Sequence, residues 1–349
     1  MISPGAAFET SDQLFACPVC RAPLPLEDKL TCPACGQRYL SDDGVPCFND
    51  RGTYHGPIPP KAEMRKVLEL ARTQGYRHVL DGYLKDMDPG LVRYLTDTRR
   101  TGGLELLGLR GDERVLDFGC SFGLFSRELA RKAKLVVALD VTHEKLQFLA
   151  LVREQDGLDN LLPVCNGDPV RLPFASGSFD WVVLNAVFEY LPQAIEAPDV
   201  RAAHLRALGE FHRVLRPGGR LYLATKNRFS YSAVRARRIT TFLPRLVAHR
   251  LAGGTMRDPY RQVLHGLRGY QGLLRESGFI AWESRWAVPT LWYPKHFIAV
   301  GGRRSRTVAD LRTAPVGSRL KRAVWLALAR AGVLAFVVPN YVIVARKGT

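Results

Sequence analysis

The chain has 349 residues, 46% of them apolar and 24% charged, with a formal net charge of +17. This is the composition of a globular protein long enough to bury a large core and to hold more than one domain. The start, MISPGAAFETSD, has no basic segment followed by an apolar run, and no stretch reaches about 18 uninterrupted apolar residues. Neither a secretory signal nor a spanning helix is therefore expected, and the expected location is the cytoplasm or the inner face of the membrane.

The charge is unevenly spread. Phe211 to Arg257 holds eleven Arg/Lys and no acid, and Gly301 to Thr349 holds ten with one acid, Asp310. Such segments are either solvated faces or surfaces for an anionic substrate, a membrane or nucleic acid.

Taken in chain order, the first module is residues 12–50. CPVC at 17–20 and CPAC at 32–35 are two knuckles separated by eleven residues. Each turns tightly and aims two thiolates at one point. Cys17, Cys20, Cys32 and Cys35 complete a tetrahedral four-sulfur shell that suits Zn2+. A pair of redox motifs is the alternative. The segment is too short for a core of its own, so the metal supplies folding energy, and a closed shell makes its role structural. The module resembles the zinc ribbons that precede some bacterial methyltransferases, one type of which modifies ribosomal RNA. QRYLSDDGVPCF, 37–48, resembles the tail of such ribbons, a short strand and an Asp-Gly turn. Cys47 has no partner knuckle and is expected as a buried thiol.

Residues 51–108 read as a linker and a helical cap. HGPIPPK, 55–61, is a linker by its prolines and glycine. Met64, Val67, Leu68 and Ala71 have helical spacing, and a second helix is predicted from about Leu91 to Leu107.

RVLDFGCSFGLFSREL, 114–129, reads as strand, glycine loop and helix start. A dinucleotide loop has glycines at G-x-G-x-x-G and its acid about twenty residues later. Here Asp117 stands two residues before Gly119, which suits a ligand carrying a cation rather than a pyrophosphate. The stretch resembles the first motif of class I S-adenosylmethionine-dependent methyltransferases, with Ser121 where the middle glycine usually stands. KLVVALD ends a second strand in Asp140, placed to accept from ribose hydroxyls. NGDPVRLPFASGSFDWVVL resembles the family's third block, and FHRVLRPGGRLYLAT the block in which a helix ends at a Pro-Gly-Gly turn before the fifth strand. There Pro217 is expected to stop the helix. The resemblance implies cofactor contacts from Asp117, Phe118, Gly119, Ser121, Gly123, Asp140, Val141, Asp168 and Pro169. Asp168 would take the adenine amino group, and Pro169 offers no N–H.

The resemblance implies an α/β fold, the Rossmann-like seven-stranded class I methyltransferase sheet, over 109–349, with a substrate-side insertion or lid at about 287–339. KLVVALD, WVVL, IAWESRW and NYVIVARK read as strands, and RLKRAVWLALARAGVLAFVVP as a basic, apolar helix. That helix either packs as a lid or lies on a membrane.

Methyl transfer is a displacement in which the protein aligns the acceptor and removes a proton where needed. The acceptor is expected at the end of the fourth strand, LNAVFEYL. In the family this stretch resembles, many members carry a histidine where Tyr190 stands. Tyr190, Glu189 and Asn185 are the candidate catalytic residues, and packing is their alternative role. The expected function is methyl transfer from S-adenosylmethionine to a small-molecule, secondary-metabolite or glycan acceptor, free or carrier-linked. An rRNA or tRNA methyltransferase that binds RNA through ribbon and basic surface is the alternative, and a cofactor-binding regulator is a third. Peripheral membrane contact is a further expectation, and the sequence leaves the oligomeric state open.

Overall fold

The computed structural model describes residues 14–26, 30–48, 59–229 and 263–349. The linker at 55–58 and most of the basic run after Phe229 lie outside the described residues. The chain divides into two compact units, one of residues 1–183 with 213–219, the other of residues 184–212 with 220–349. The division cuts strand β6, strand β7 and the helix Val200–Val214.

The first unit carries strands β1 (Leu40–Asp42), β2 (Val45–Cys47), β3 (Arg114–Phe118), β4 (Leu135–Asp140), β5 (Leu161–Cys165) and most of β6 (Phe179–Asn185), in the order β1-β2-β5-β4-β3-β6. β3, β4 and β5 are parallel, with Val115 beside Val136 and Val136 beside Leu161. Their residues are almost all buried, as expected of strands covered on both faces. The order runs outward from β3 to β5 on one side and places β6 on the other. Such a reversal opens a crevice at the carboxyl end of β3, where ligands of parallel sheets bind.

The ribbon extends this sheet. Asp43 and Gly44 have φ of 51° and 73°, the two-residue turn whose twist matches a hairpin, and they join β1 to β2. Cys47 pairs in parallel with Cys165 of β5, and both thiols are buried. Phe15 stacks on Phe48 and tilts against Phe174, while Ala16 N donates to the Pro173 carbonyl.

The helix Lys61–Gln74 buries Met64, Val67, Leu68 and Ala71, the face that the spacing predicts. The second helix differs from expectation. An α-helix spans Pro89–Thr96, capped by Asp88, and a 3-10 stretch spans Thr98–Leu107. Asp97 separates them: its backbone is extended and its carboxylate accepts from Arg99 N. A side chain that caps a new turn ends the old one.

The second unit is antiparallel. β7 (Leu215–Lys226), β8 (Phe279–Pro289), β9 (Pro294–Ala299) and β10 (Asn340–Lys347) follow the order β7-β10-β8-β9, with Asn340 beside Lys226 and Arg346 beside Arg220. The helices Leu267–Glu276, Arg304–Thr313 and Arg319–Ala331 complete it. Ten strands are described against the seven expected. The ribbon hairpin supplies β1 and β2, and β9 is the third addition. β8 runs to Pro289, so the early part of the predicted 287–339 insertion is sheet. Trp286, Ala287, Val288, Ile298 and Val300 are buried there.

The helix Val200–Val214 ends three residues before Pro217, and the Pro-Gly-Gly turn lies inside β7. Gly218 has φ of 74°, and a Cβ on Gly219 would sit 2.9 Å from the Arg216 carbonyl oxygen. The glycines therefore admit a close backbone approach rather than ending the helix.

Candidate functional site

In the first unit, the loop after β3 forms a cradle. Gly119 and Cys120 both donate their N–H to the Leu139 carbonyl, at 2.7 and 3.0 Å. Ser121 has φ of 55°, so serine occupies a left-handed position that favours glycine. Gly123 has φ of 77°, and a Cβ there would stand 2.4 Å from Leu149 Cδ1. The helix Leu124–Ala130 follows and aims Ser126 back at β3.

Asp117 is 2% exposed and its Oδ2 accepts from Ser126 Oγ at 2.6 Å. Burial pushes its carboxyl up to about 7, against the Ser126 hydrogen bond and with help from the charge of Asp140. A buried acid poised near neutrality gains its charge when a cation arrives. The same burial raises the Cys120 thiol, which makes it an inert part of the loop.

Asp140 anchors the cradle. Its Oδ2 accepts from Ser121 N at 2.8 Å and its Oδ1 from Thr142 N at 2.9 Å. A carboxylate has about four acceptor positions, so each oxygen keeps one for a hydroxyl. Asp168 Oδ1 accepts from Val170 N at 2.9 Å, and Asn166 Nδ2 donates to the Asp168 carbonyl. The Asp168 turn is thus held by its own segment, and Pro169, inside it, is buried. Phe118 is buried and Val141 half-buried at the strand ends. Asp180, which opens β6, accepts from Arg114 N at 2.7 Å and pairs with Arg216, so it fixes the sheet rather than a ligand.

The four ribbon thiols converge. Cys17, Cys20, Cys32 and Cys35 place their sulfurs within 4.8 Å of one another. Cys17 and Cys35 stand 3.7 Å apart, and Cys20 and Cys32 3.5 Å. Zinc–sulfur bonds of about 2.3 Å in a tetrahedron put sulfurs about 3.8 Å apart, so the donor set fits Zn2+. Tyr39 Oη lies 3.0 Å from Cys17 Sγ, where it can donate to the thiolate.

The second unit holds the acceptor-side candidates. Glu189 is fully buried: its Oε2 lies 3.1 Å from Thr225 Oγ1, and Lys226 Nζ is 3.9 Å from its Oε1. Burial outweighs the Lys226 ammonium and raises its carboxyl. Thr225 Oγ1 is 3.3 Å from Tyr270 Oη, which donates to the Lys226 carbonyl at 3.1 Å. Thr225 Oγ1 donates to Glu189 Oε2, and Tyr270 Oη to the Lys226 carbonyl, so the three side chains tie the end of β7 together. Tyr190 is half-buried, its N–H bonded to the Val187 carbonyl, and Asn185 is half-buried at the end of β6.

Thr225, Tyr270, His204 and His265 escape sequence reasoning. His204 stacks on Phe188, donates from Nε2 to the Phe188 carbonyl, and accepts at Nδ1 from His265 Nε2 at 3.1 Å. No motif marks them. The Asn-Arg-Phe after β7 supplies a staple: buried Asn227 donates to the Phe336 and Val338 carbonyls.

Residues 116–223 match the methyltransferase domain family and residues 13–44 the Trm112p-like protein family. The chain carries a class I methyltransferase domain. Malonyl-(acyl-carrier protein) O-methyltransferase of Pectobacterium atrosepticum is 34% identical over 139 residues, 39% of this chain and 49% of that one. An uncharacterized chloroplastic methyltransferase of Arabidopsis thaliana is 27% identical over 249 residues, 63% of this chain and 64% of that one. Demethylmenaquinone methyltransferase of Beutenbergia cavernae is 35% identical over 125 residues, 36% of this chain and 45% of that one. The chain thus spans 45% to 64% of the length of these relatives. Within the methyltransferase domain, β3 and the loop that follows it open the matched segment, and it ends inside β7.

Proposed function

We propose that the protein transfers a methyl group from S-adenosylmethionine to a small-molecule acceptor, free or held on a carrier or lipid. The observation that carries the reading is the buried Asp117 beside the Ser121–Gly123 bend. A carboxyl held near neutrality at a close backbone approach favours a ligand with a cationic end and a nucleoside body. Asp117 would hold that cationic end, Asp140 the ribose hydroxyls and the Asp168 turn the base.

When bound, the cofactor supplies an electrophilic methyl carbon. What remains for the protein is orientation and proton handling. We assign the acceptor to the second unit, with Glu189, Tyr190, Asn185 and Lys226 as its candidate contacts. Glu189 is fully buried, accepts from Thr225 and lies beside Lys226, so part of its role is to fix Thr225 and the end of β7. The names of the relatives support a small acceptor, since they include a carrier-bound acyl group and a quinone precursor.

The test is calorimetry with S-adenosylhomocysteine, then labelled-methyl transfer to pools of RNA, sugar nucleotides, acyl carriers and lipid extracts. Label in a small or carrier-linked pool is expected. Label confined to RNA would establish the other acceptor class, and no cofactor binding would end the reading.

A further inference from the structure

The helix Arg319–Ala331 packs Trp325 edge-on against Trp286 at 5.0 Å, yet its outward face is apolar as well. Of its thirteen residues only Ala329 is buried, while Leu320 is 76% and Val324 50% exposed. At about 100° per residue, Leu320, Val324, Ala327 and Ala331 share one stripe, opposite Ala329. Ala327 and Ala331 are exposed as well. The outward stripe is therefore apolar. Exposed cations border it, Arg319 and Arg330 along one edge and Lys321 along the other. Val333 and Phe336, which follow the helix in the chain, are also 40% and 36% exposed. Between Arg303 and Arg330 the chain holds eight Arg/Lys and one acid, Asp310.

We propose that this helix docks the protein on the surface of an anionic lipid bilayer, its apolar stripe in the headgroup boundary and its cations among the lipid phosphates. The inference rests on the second unit alone and goes beyond methyl transfer. Charge complementarity selects the occupant. A second copy would bring the same cations against each other across a two-fold interface. A nucleic acid would leave Leu320 and Val324 against phosphate. The helix has thirteen residues, and among the described residues no helix is long and apolar enough to cross a membrane, so it lies on the surface.

Co-sedimentation of the full chain tests this, with vesicles of phosphatidylcholine alone and of phosphatidylcholine mixed with phosphatidylglycerol. The wild type is expected to partition about tenfold more into the anionic vesicles and to release in high salt. Leu320→Glu with Val324→Glu, and separately Arg319→Gln with Lys321→Gln and Arg330→Gln, should each lose that binding. These are exposed positions, so melting temperatures should stay at the wild-type value. Arg65→Gln with Lys85→Gln and Lys132→Gln lowers the charge by the same three units at other exposed positions and should retain binding. The proposal is overturned if the wild type stays in the supernatant at low salt. Equal binding by the Leu320/Val324 variant overturns it too, since general positive charge would then suffice. So does a wild-type dimer that this variant dissolves without any vesicle binding.

Discussion

Ser126 Oγ stands 2.6 Å from Asp117 Oδ2, and both residues are buried. One hydroxyl does not replace the water that Asp117 loses, so the folded carboxyl titrates near 7, against about 4 in the unfolded chain. Between those values the folded state binds the extra proton. This contribution is therefore complete below about pH 4 and is lost as pH rises through 7. Asp117→Asn should raise stability at pH 8 by on the order of 3 kcal/mol and leave it unchanged near pH 4. The same variant should weaken S-adenosylhomocysteine binding by roughly tenfold or more, the loss of one charge-assisted contact. Wild-type affinity should climb with pH up to about 7 and then level, because the cation needs the ionised acid. Thermal melts and calorimetry at several pH values check all three, and affinity unmoved by the substitution would break the cofactor assignment.

Gly123 and Ser121 make opposite predictions in one loop. Gly123→Ala meets both a left-handed φ and the Leu149 side chain, at a combined cost of about 2–4 kcal/mol. Measured against Leu149→Ala as the reference, Gly123→Ala should lose the packing part of its cost and keep the backbone part. Ser121→Gly relieves the φ of 55° and should stabilise by up to about 1 kcal/mol. Urea titrations order the variants, and a stabilising Gly123→Ala would contradict the geometry.

The bend after β3 was legible because its residues are contiguous. Asp117, Gly119, Ser121 and Gly123 lie within seven residues, and the turn they form is local. The thiol quartet was legible for the same reason, as two tight knuckles. The buried network around Glu189 was not, because Thr225, Tyr270 and His265 reach it from distant stretches and no spacing links them. β9 was hidden by Lys295 and His296, exposed polar residues that mask its buried Ile298. The break at Asp97 depended on one side chain choosing its own backbone over the helix. Tertiary contacts of this kind leave little periodic trace in a sequence.

Zinc should be stoichiometric and structural. The ribbon hairpin pairs with β5 through Cys47 and Cys165, and Phe48 N donates to the Cys165 carbonyl at 2.8 Å. Chelation should therefore release β1 and β2 from the sheet edge and expose Phe15 and Phe48. Metal analysis is expected to find one zinc per chain, and Cys20→Ser to lose it. Amide exchange should then rise at β2 and β5 while the β3 loop keeps its protection. Loss of protection throughout the first unit would show instead that its core depends on the metal.

His204 and His265 place the opposite pH dependence on the second unit. Burial brings each imidazole down to about 4, from near 6.5 in the unfolded chain. Between those values the unfolded chain binds the extra protons. Stability is thus fully present above about pH 6.5 and is lost as pH falls through 4. The tautomers are set by the bonds: His204 gives its Nε2 proton to the Phe188 carbonyl and receives one from His265. His204→Gln with His265→Gln keeps polar groups at both positions without the titration. The double variant should lose about 1–2 kcal/mol at pH 8, where the paired bonds are worth most. Its stability should then fall less than that of the wild type between pH 6.5 and 4.5, as read from urea midpoints at each pH. Parallel curves for the two proteins would mean that the pair titrates as it does in the unfolded chain, and that its burial does not govern the acid limb.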